Sequence, residues 1–247
     1  MIGDRGLSIS ALNCSGNPLH PGPSGKDHAL TARRTVELAS LLGVDRVVMM
    51  SGCPAAPGDA VPNWVTVAWP PEVTRVLEWQ WTEVVLPFWR EFGEYARDKG
   101  VTPCLELHGH QNVYSVDTFF RLRDAVGDAV AVNFDPSHLM WMGADPIAAI
   151  EALGPSIRHV HAKDTRLHPA LLARHGRLET TPSDRPEQRS WNYVTLGDGH
   201  DEEFWRRFCR TLEAVGYRDV LSIEHEDASL PPLEGVVRSV EMLARVR

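Results

Sequence analysis

Short apolar runs rich in β-branched residues alternate along this chain with stretches of helical period, about six times over. The runs cover residues 7–12, 46–50, 102–107, 129–134, 157–162 and 220–224. Helical patterns follow each of them. Residues 27–42 close at Gly43, and residues 71–99, with a break expected near Pro87, close at Gly100. Ser115 is placed to cap a helix that carries Phe119 and Leu122 and ends at Gly127. Asp145 followed by Pro146 is an N-cap with proline in the first turn, and Gly154 closes that helix. Residues 201–215 and 231–246 supply the last two. Strand and helix in strict alternation put the strands parallel and the helices outside them. The expected fold class is α/β, with a parallel sheet and about six recognisable βα units. A chain of 247 residues suits one such domain, 1–247.

In parallel α/β folds the C-terminal ends of the strands share one face, and active sites sit there. Here "TPCLELHGH" delivers Glu106, His108 and His110, and "AVNFDPSH" delivers Asp135 and His138. "RHVHAKD" delivers His159, His161, Lys163 and Asp164, and "VLSIEHED" delivers Glu224, His225, Glu226 and Asp227. Taken singly, each has an ordinary reading: a solvated loop acid, a hydrogen-bonded histidine, an aspartate starting a turn. Four successive strands closing on acid or imidazole point instead to a shell of Glu, Asp and His for a divalent ion. Alternate residues of a strand face one way, so His159, His161 and Lys163 share a face. Glu224 and Glu226 are not both expected as ligands if the last strand stays regular, and the earlier one is the better placed.

Other function classes fit less well. The formal charge of −8 disfavours a phosphate backbone as partner, so no nucleic acid is expected. No apolar run approaches a membrane span, and the first residues show no signal-peptide pattern. The four cysteines, Cys14, Cys53, Cys104 and Cys209, lie far apart, which suits reduced, buried thiols in a cytoplasmic protein. Residues 165–199 break the rhythm as a long polar loop insertion of the kind that carries function. Trp141 and Trp191 are candidates either for the core or for a pocket wall.

The motifs "CLELHGH", "NFDPSH", "HVHAKD" and "SIEHED" resemble the four metal-bearing strand ends of the sugar phosphate isomerase/epimerase group of xylose-isomerase-like TIM barrels. The similarity runs through nearly all of the chain, and "LSISALNC" resembles that family's third strand, so the first two units have no counterpart here. A barrel open in this way exposes strand edges. The resemblance implies one divalent ion, Mn²⁺ first and Mg²⁺, Co²⁺ or Zn²⁺ as alternatives, held by Glu106, Asp135, His161 and Glu224. It implies substrate contact by His138, to which Lys163 is added as a neighbour. The insertion resembles the longer loop of relatives acting on 3-keto-glycosides, where Arg185, Arg189, Trp191 and Tyr193 would cover a sugar.

The expected activity is an isomerase or epimerase that removes a proton next to a keto-sugar carbonyl. Glu106 and Glu224 are the expected proton carriers and His108 a second candidate base. The expected partner is a small sugar, with a homo-oligomer compatible with the sequence. Three alternatives stand beside this: a metal-dependent lyase or hydratase on 3-keto-glycosides, a hydrolase like the apurinic-site endonucleases, and a truncated barrel without catalysis.

Overall fold

The computed structural model describes residues 3–247, which form two compact units, one running to Asn133 and one from Phe134 to Arg247. In the first unit β1 (Leu12–Cys14), β2 (Arg46–Met49), β3 (Thr102–Glu106) and the start of β4 (Ala131–Phe134) pair in parallel, in that order. Every residue of β4 and all but the first of β3 are buried, as both-face burial of parallel strands requires. The expected strand at 7–12 pairs only from Leu12, opposite Val47; Leu7 and Ile9 lie ahead of the ladder, exposed.

α1 (Pro23–Leu42) ends where Gly43 turns left-handed at φ 68°, a conformation cheap only without a Cβ. The long helix expected over 71–99 is α2 (Pro71–Trp79), a wide π turn at Gln80–Val85, and α3 (Leu86–Asp98). Pro87 has no N–H and its ring crowds the carbonyl four residues back, so the turn before it opens rather than the helix ending. The buried Gln80 amide in that turn donates to the carbonyls of Pro54, Ala55 and Asn63 at 3.0, 3.2 and 2.7 Å, tying down the loop after β2. Trp81, Trp89 and Phe92 are buried beneath these helices. α4 (Val116–Val126) starts at Ser115 with a capping box shared with Thr118.

In the second unit α5 (Pro136–Met142) and α6 (Pro146–Leu153) follow β4 and start on Asp135 and Asp145, each accepting from a backbone N–H two residues on at 2.8 Å. β5 (Ile157–Ala162) pairs in parallel with β8 (Ser222–Ile223), and α8 (Glu202–Ala214) and α9 (Pro232–Val246) complete the alternation. Among the described residues this makes six βα units, as the sequence pattern implies. No described helix is long and apolar enough to cross a membrane.

The segment 165–199 differs from the expected loop. β6 (Asp164–Leu167) and β7 (Trp191–Val194) pair antiparallel, with α7 (Pro169–His175) between them. "WNYV" is a strand by residue type; its four residues are masked in the sequence by the proline and charge clusters that precede it. The base of the hairpin is held by Asp164, which is fully buried. Its carboxylate accepts from the N–H groups of Thr165, Gly197, Gly199 and His200 at 2.8, 3.1, 3.1 and 2.9 Å and meets His200 Nδ1 at 2.7 Å. A Cβ at Gly199 would stand 2.4 Å from the Thr165 carbonyl oxygen, so only glycine lets the loop close on this carboxylate.

Removing this one buried acceptor leaves four backbone N–H groups without it at once. Asp164→Ala is expected to cost about 3 kcal/mol or more in urea unfolding. A loss below about 1 kcal/mol would show that the loop does not depend on this carboxylate.

Candidate functional site

β4, β5 and β8 bring Asp135, His161 and Glu224 together in the second unit. Each offers one ligand atom, and these atoms lie within 4.8 Å of one another. Asp135 and His161 are buried and the Glu224 side chain is 30% exposed, so the group opens on its Glu224 side. His161 Nδ1 stands 2.9 Å from Glu224 Oε2. Asp135 divides its oxygens: Oδ1 caps α5 through the Ser137 N–H, and Oδ2 faces His138 Nε2 at 3.3 Å. The cap fixes the side chain, so Oδ2 cannot turn away from the group.

Lys163, two residues past His161 and on the same face, puts its ammonium among the acids. Nζ lies 3.8 Å from Asp135, 3.4 Å from Glu224 and 3.0 Å from Glu226, and 4.2 Å from the centre of the Tyr193 ring. Burial alone pulls the pKa of this lysine down. Asp135, Glu224 and Glu226 outweigh it and hold the ammonium above its ordinary value. Glu224 and Glu226 both reach Lys163 because β8 ends at Ile223 and the strand period no longer binds the residues beyond it. The intervening His225 packs on α9, where a Cβ at Gly235 would meet its ring at 1.9 Å.

In the first unit Glu106 closes β3, buried, and accepts from Asn133 Nδ2 at 3.0 Å on the neighbouring strand. His108 is half-buried with Nδ1 2.5 Å from the Gly109 carbonyl. His110 adopts φ 61°, uncommon for a residue other than glycine, with its ring against Trp64 at 4.7 Å.

The side chains expected to cover a sugar take varied places. Trp191 stacks on Trp141 at 4.8 Å and 7°, and the Arg189 guanidinium lies over the Trp191 ring at 4.7 Å. A face that carries one parallel ring has no room for a guanidinium, so both faces of Trp191 are covered. Arg189 also donates to the carbonyls of Thr181 and Trp191, which makes it a clasp within the insertion. Arg185 is exposed. Tyr193 lies deeper: its hydroxyl is 2.8 Å from His138 Nδ1. Sequence reasoning had no signal for this contact, because it depends on the hairpin, nor for Glu226 as a partner of Lys163.

A pair of carboxylates and an imidazole, close together and largely out of water, suit a divalent cation by donor type. Without one, Lys163 is their counter-ion. Lys163→Met is expected to lower stability in chelator by about 2–4 kcal/mol, because buried acids lose their partner. Added Mn²⁺ should then raise its melting temperature more than that of the wild type. Equal melting temperatures in chelator would mean that the cluster does not rely on the ammonium.

The sequence pattern of the xylose isomerase-like TIM barrel family matches residues 1–246. The uncharacterized protein YfiH of Bacillus subtilis (strain 168) is 48% identical over 243 residues, 97% of this chain and 78% of that protein. The inosose dehydratase of Clostridium beijerinckii is 32% identical over 77 residues, which is 31% of this chain and 26% of the dehydratase. Among solved structures, the IolI protein with a bound zinc atom superposes with a TM-score of 0.64 at 19% identity, covering 98% of this chain and 78% of that one. With the strand-end acids and imidazoles on parallel strands, these matches place the chain in the xylose isomerase-like TIM barrel family.

Proposed function

We propose that this protein is a divalent-metal-dependent sugar isomerase or epimerase acting by proton abstraction next to a keto-sugar carbonyl. The observation that carries the reading is the cluster of Asp135, His161 and Glu224 at the ends of their strands. The proposed ligand set is Glu106, Asp135, His161 and Glu224. Glu106 enters it from its place at the end of β3, where it adjoins Asn133, two residues before Asp135. The zinc in the IolI structure supports a metal in this fold; Mn²⁺ is our first candidate here, and Mg²⁺, Co²⁺ and Zn²⁺ also suit the donors. When bound, such an ion supplies Lewis acidity to a carbonyl oxygen and a neighbouring hydroxyl.

The chain's own residues carry the proton. Glu224 is the most open carboxylate of the group and takes the proton from the carbon beside the carbonyl; Glu106 is the proposed partner that returns one. The Lys163 ammonium offsets the repulsion among the neighbouring carboxylates. His161 and Asp135 are orienting groups; the α5 cap fixes Asp135, and His161 Nδ1 lies 2.9 Å from Glu224 Oε2.

A second reading is a dehydratase, favoured by the similarity to inosose dehydratases. It shares the proton removal and then loses water. Incubation of keto-sugars and cyclic ketopolyols in D₂O with Mn²⁺ separates the readings. Deuterium at the carbon beside the carbonyl with otherwise unchanged mass is expected; a product lighter by one water selects the dehydratase. A broad panel showing neither would defeat both.

The metal itself is tested without activity. Purified protein is expected to hold about one divalent ion per chain by elemental analysis, and Asp135→Ala to lose it. Equal metal content in the two proteins would remove Asp135 from the ligand set.

A further inference from the structure

We infer that His168 and Asn192 form a specificity-determining pair that reads a hydroxyl of the ligand, in a cleft on the β6–β7 hairpin that takes an uncharged polyhydroxylated molecule. The nature of the ligand rests on the proposed function; the way it is held rests on local geometry. Asn192, in β7, directs its amide nitrogen at the Pro186 carbonyl at 2.8 Å and at His168 Nε2 at 3.0 Å. A carbonyl oxygen only accepts, so the nitrogen end of the amide must face Pro186. That nitrogen has two hydrogens, and the second goes to His168 Nε2, which is therefore a bare lone pair. The proton of the neutral imidazole stands on Nδ1. Each residue keeps one group over: an N–H donor at His168 Nδ1 and an acceptor at Asn192 Oδ1. Among the described residues neither group has a partner, and neither atom is buried. Neither residue belongs to the proposed metal-ligand set.

Both residues line a cleft of about 500 Å³, the size of a small-molecule site. Glu226 lines it too, with its carboxylate 3.0 Å from Lys163, so a ligand held here lies beside the acid cluster. Arg166 is a further wall residue, but its Nε is held by the Asp198 carbonyl at 2.8 Å. Glu187 and Glu226 set negative charge on the same walls. Charge of both signs favours an uncharged ligand over an anion. A hydroxyl accepts and donates at once, so one hydroxyl, or two on adjacent carbons, answers both leftover groups. An ether or carbonyl oxygen accepts only and would set a lone pair against Asn192 Oδ1. A site built to hydrogen-bond a hydroxyl discriminates strongly against a ligand that lacks it.

The test has a wild-type arm and a variant arm. Long-range ¹H–¹⁵N NMR of the Mg²⁺-supplemented protein should show His168 as the Nδ1–H tautomer, and D-fructose or myo-inositol should move its Nδ1 resonance. The Nε2–H tautomer, or a ring that neither polyol moves, would overturn the proposal. Titration should then show His168→Phe and Asn192→Ala each binding these polyols about three- to tenfold more weakly than the wild type, the worth of one hydrogen bond. An unchanged melting temperature certifies each variant; where it falls, the wild-type arm decides. Equal affinities in certified variants would overturn the proposal. Polyol binding through this pair in a protein that exchanges no substrate proton with solvent would leave the pair standing and defeat the proton-abstraction reading. Proton exchange with the same KM in the wild type and both variants would do the reverse.

Discussion

The ammonium of Lys163 among Asp135, Glu224 and Glu226 is the interaction on which the second unit's site depends. Carboxylates brought this close raise one another's pKa unless a cation stands between them. An ammonium 3.0–3.8 Å from all three acids relieves that repulsion. Asp135 could not escape by rotating, because its other oxygen starts α5. Cluster and fold are therefore coupled: the strand ends meet where their acids can be compensated, and the compensation comes from the same strand that carries His161.

The hairpin binds this cluster to the rest of its unit. Asp164 directly follows Lys163 and faces the other way, into the backbone of residues 197–200. Its hydrogen bonds fix the point where the chain leaves β5, and with it the direction of the Lys163 side chain. β7 returns across β6 and sets Tyr193 against both His138 and Lys163. An insertion that could have been a mobile cover is thereby a wall, stapled by Arg189 and the stacked pair of Trp141 and Trp191.

Most of the βα order was legible in the sequence, because parallel strands buried on both faces write themselves as unbroken apolar runs and helices stop at glycine. β5 was read to its ends, and the Ser115 and Asp145 caps were each where the sequence placed them. The short α5 was not foreseen, since its apolar residues read as a continuation of a strand end. The ladder stops early at β8 and begins late at β1 because strand propensity does not report whether a partner lies alongside. In the site, side-chain period correctly put His161 and Lys163 on one face. It favoured Glu224 over Glu226 within the cluster, and was silent on the reach of Glu226 toward Lys163, which needs the chain to leave the strand. Contacts made by the hairpin were invisible for a different reason: they pair residues 55 positions apart through an element hidden among prolines and charges.

Isomerisation and dehydration share their first proton transfer, so the groups that remove the proton do not tell them apart. The difference lies in what faces the hydroxyl that a dehydratase must expel, which needs a proton donor. Lys163 is the nearest cationic donor, but an ammonium has three N–H bonds and three carboxylates already surround it. An ammonium so committed is a poor proton donor, and for the proposed chemistry that favours isomerisation, in which no hydroxyl has to leave.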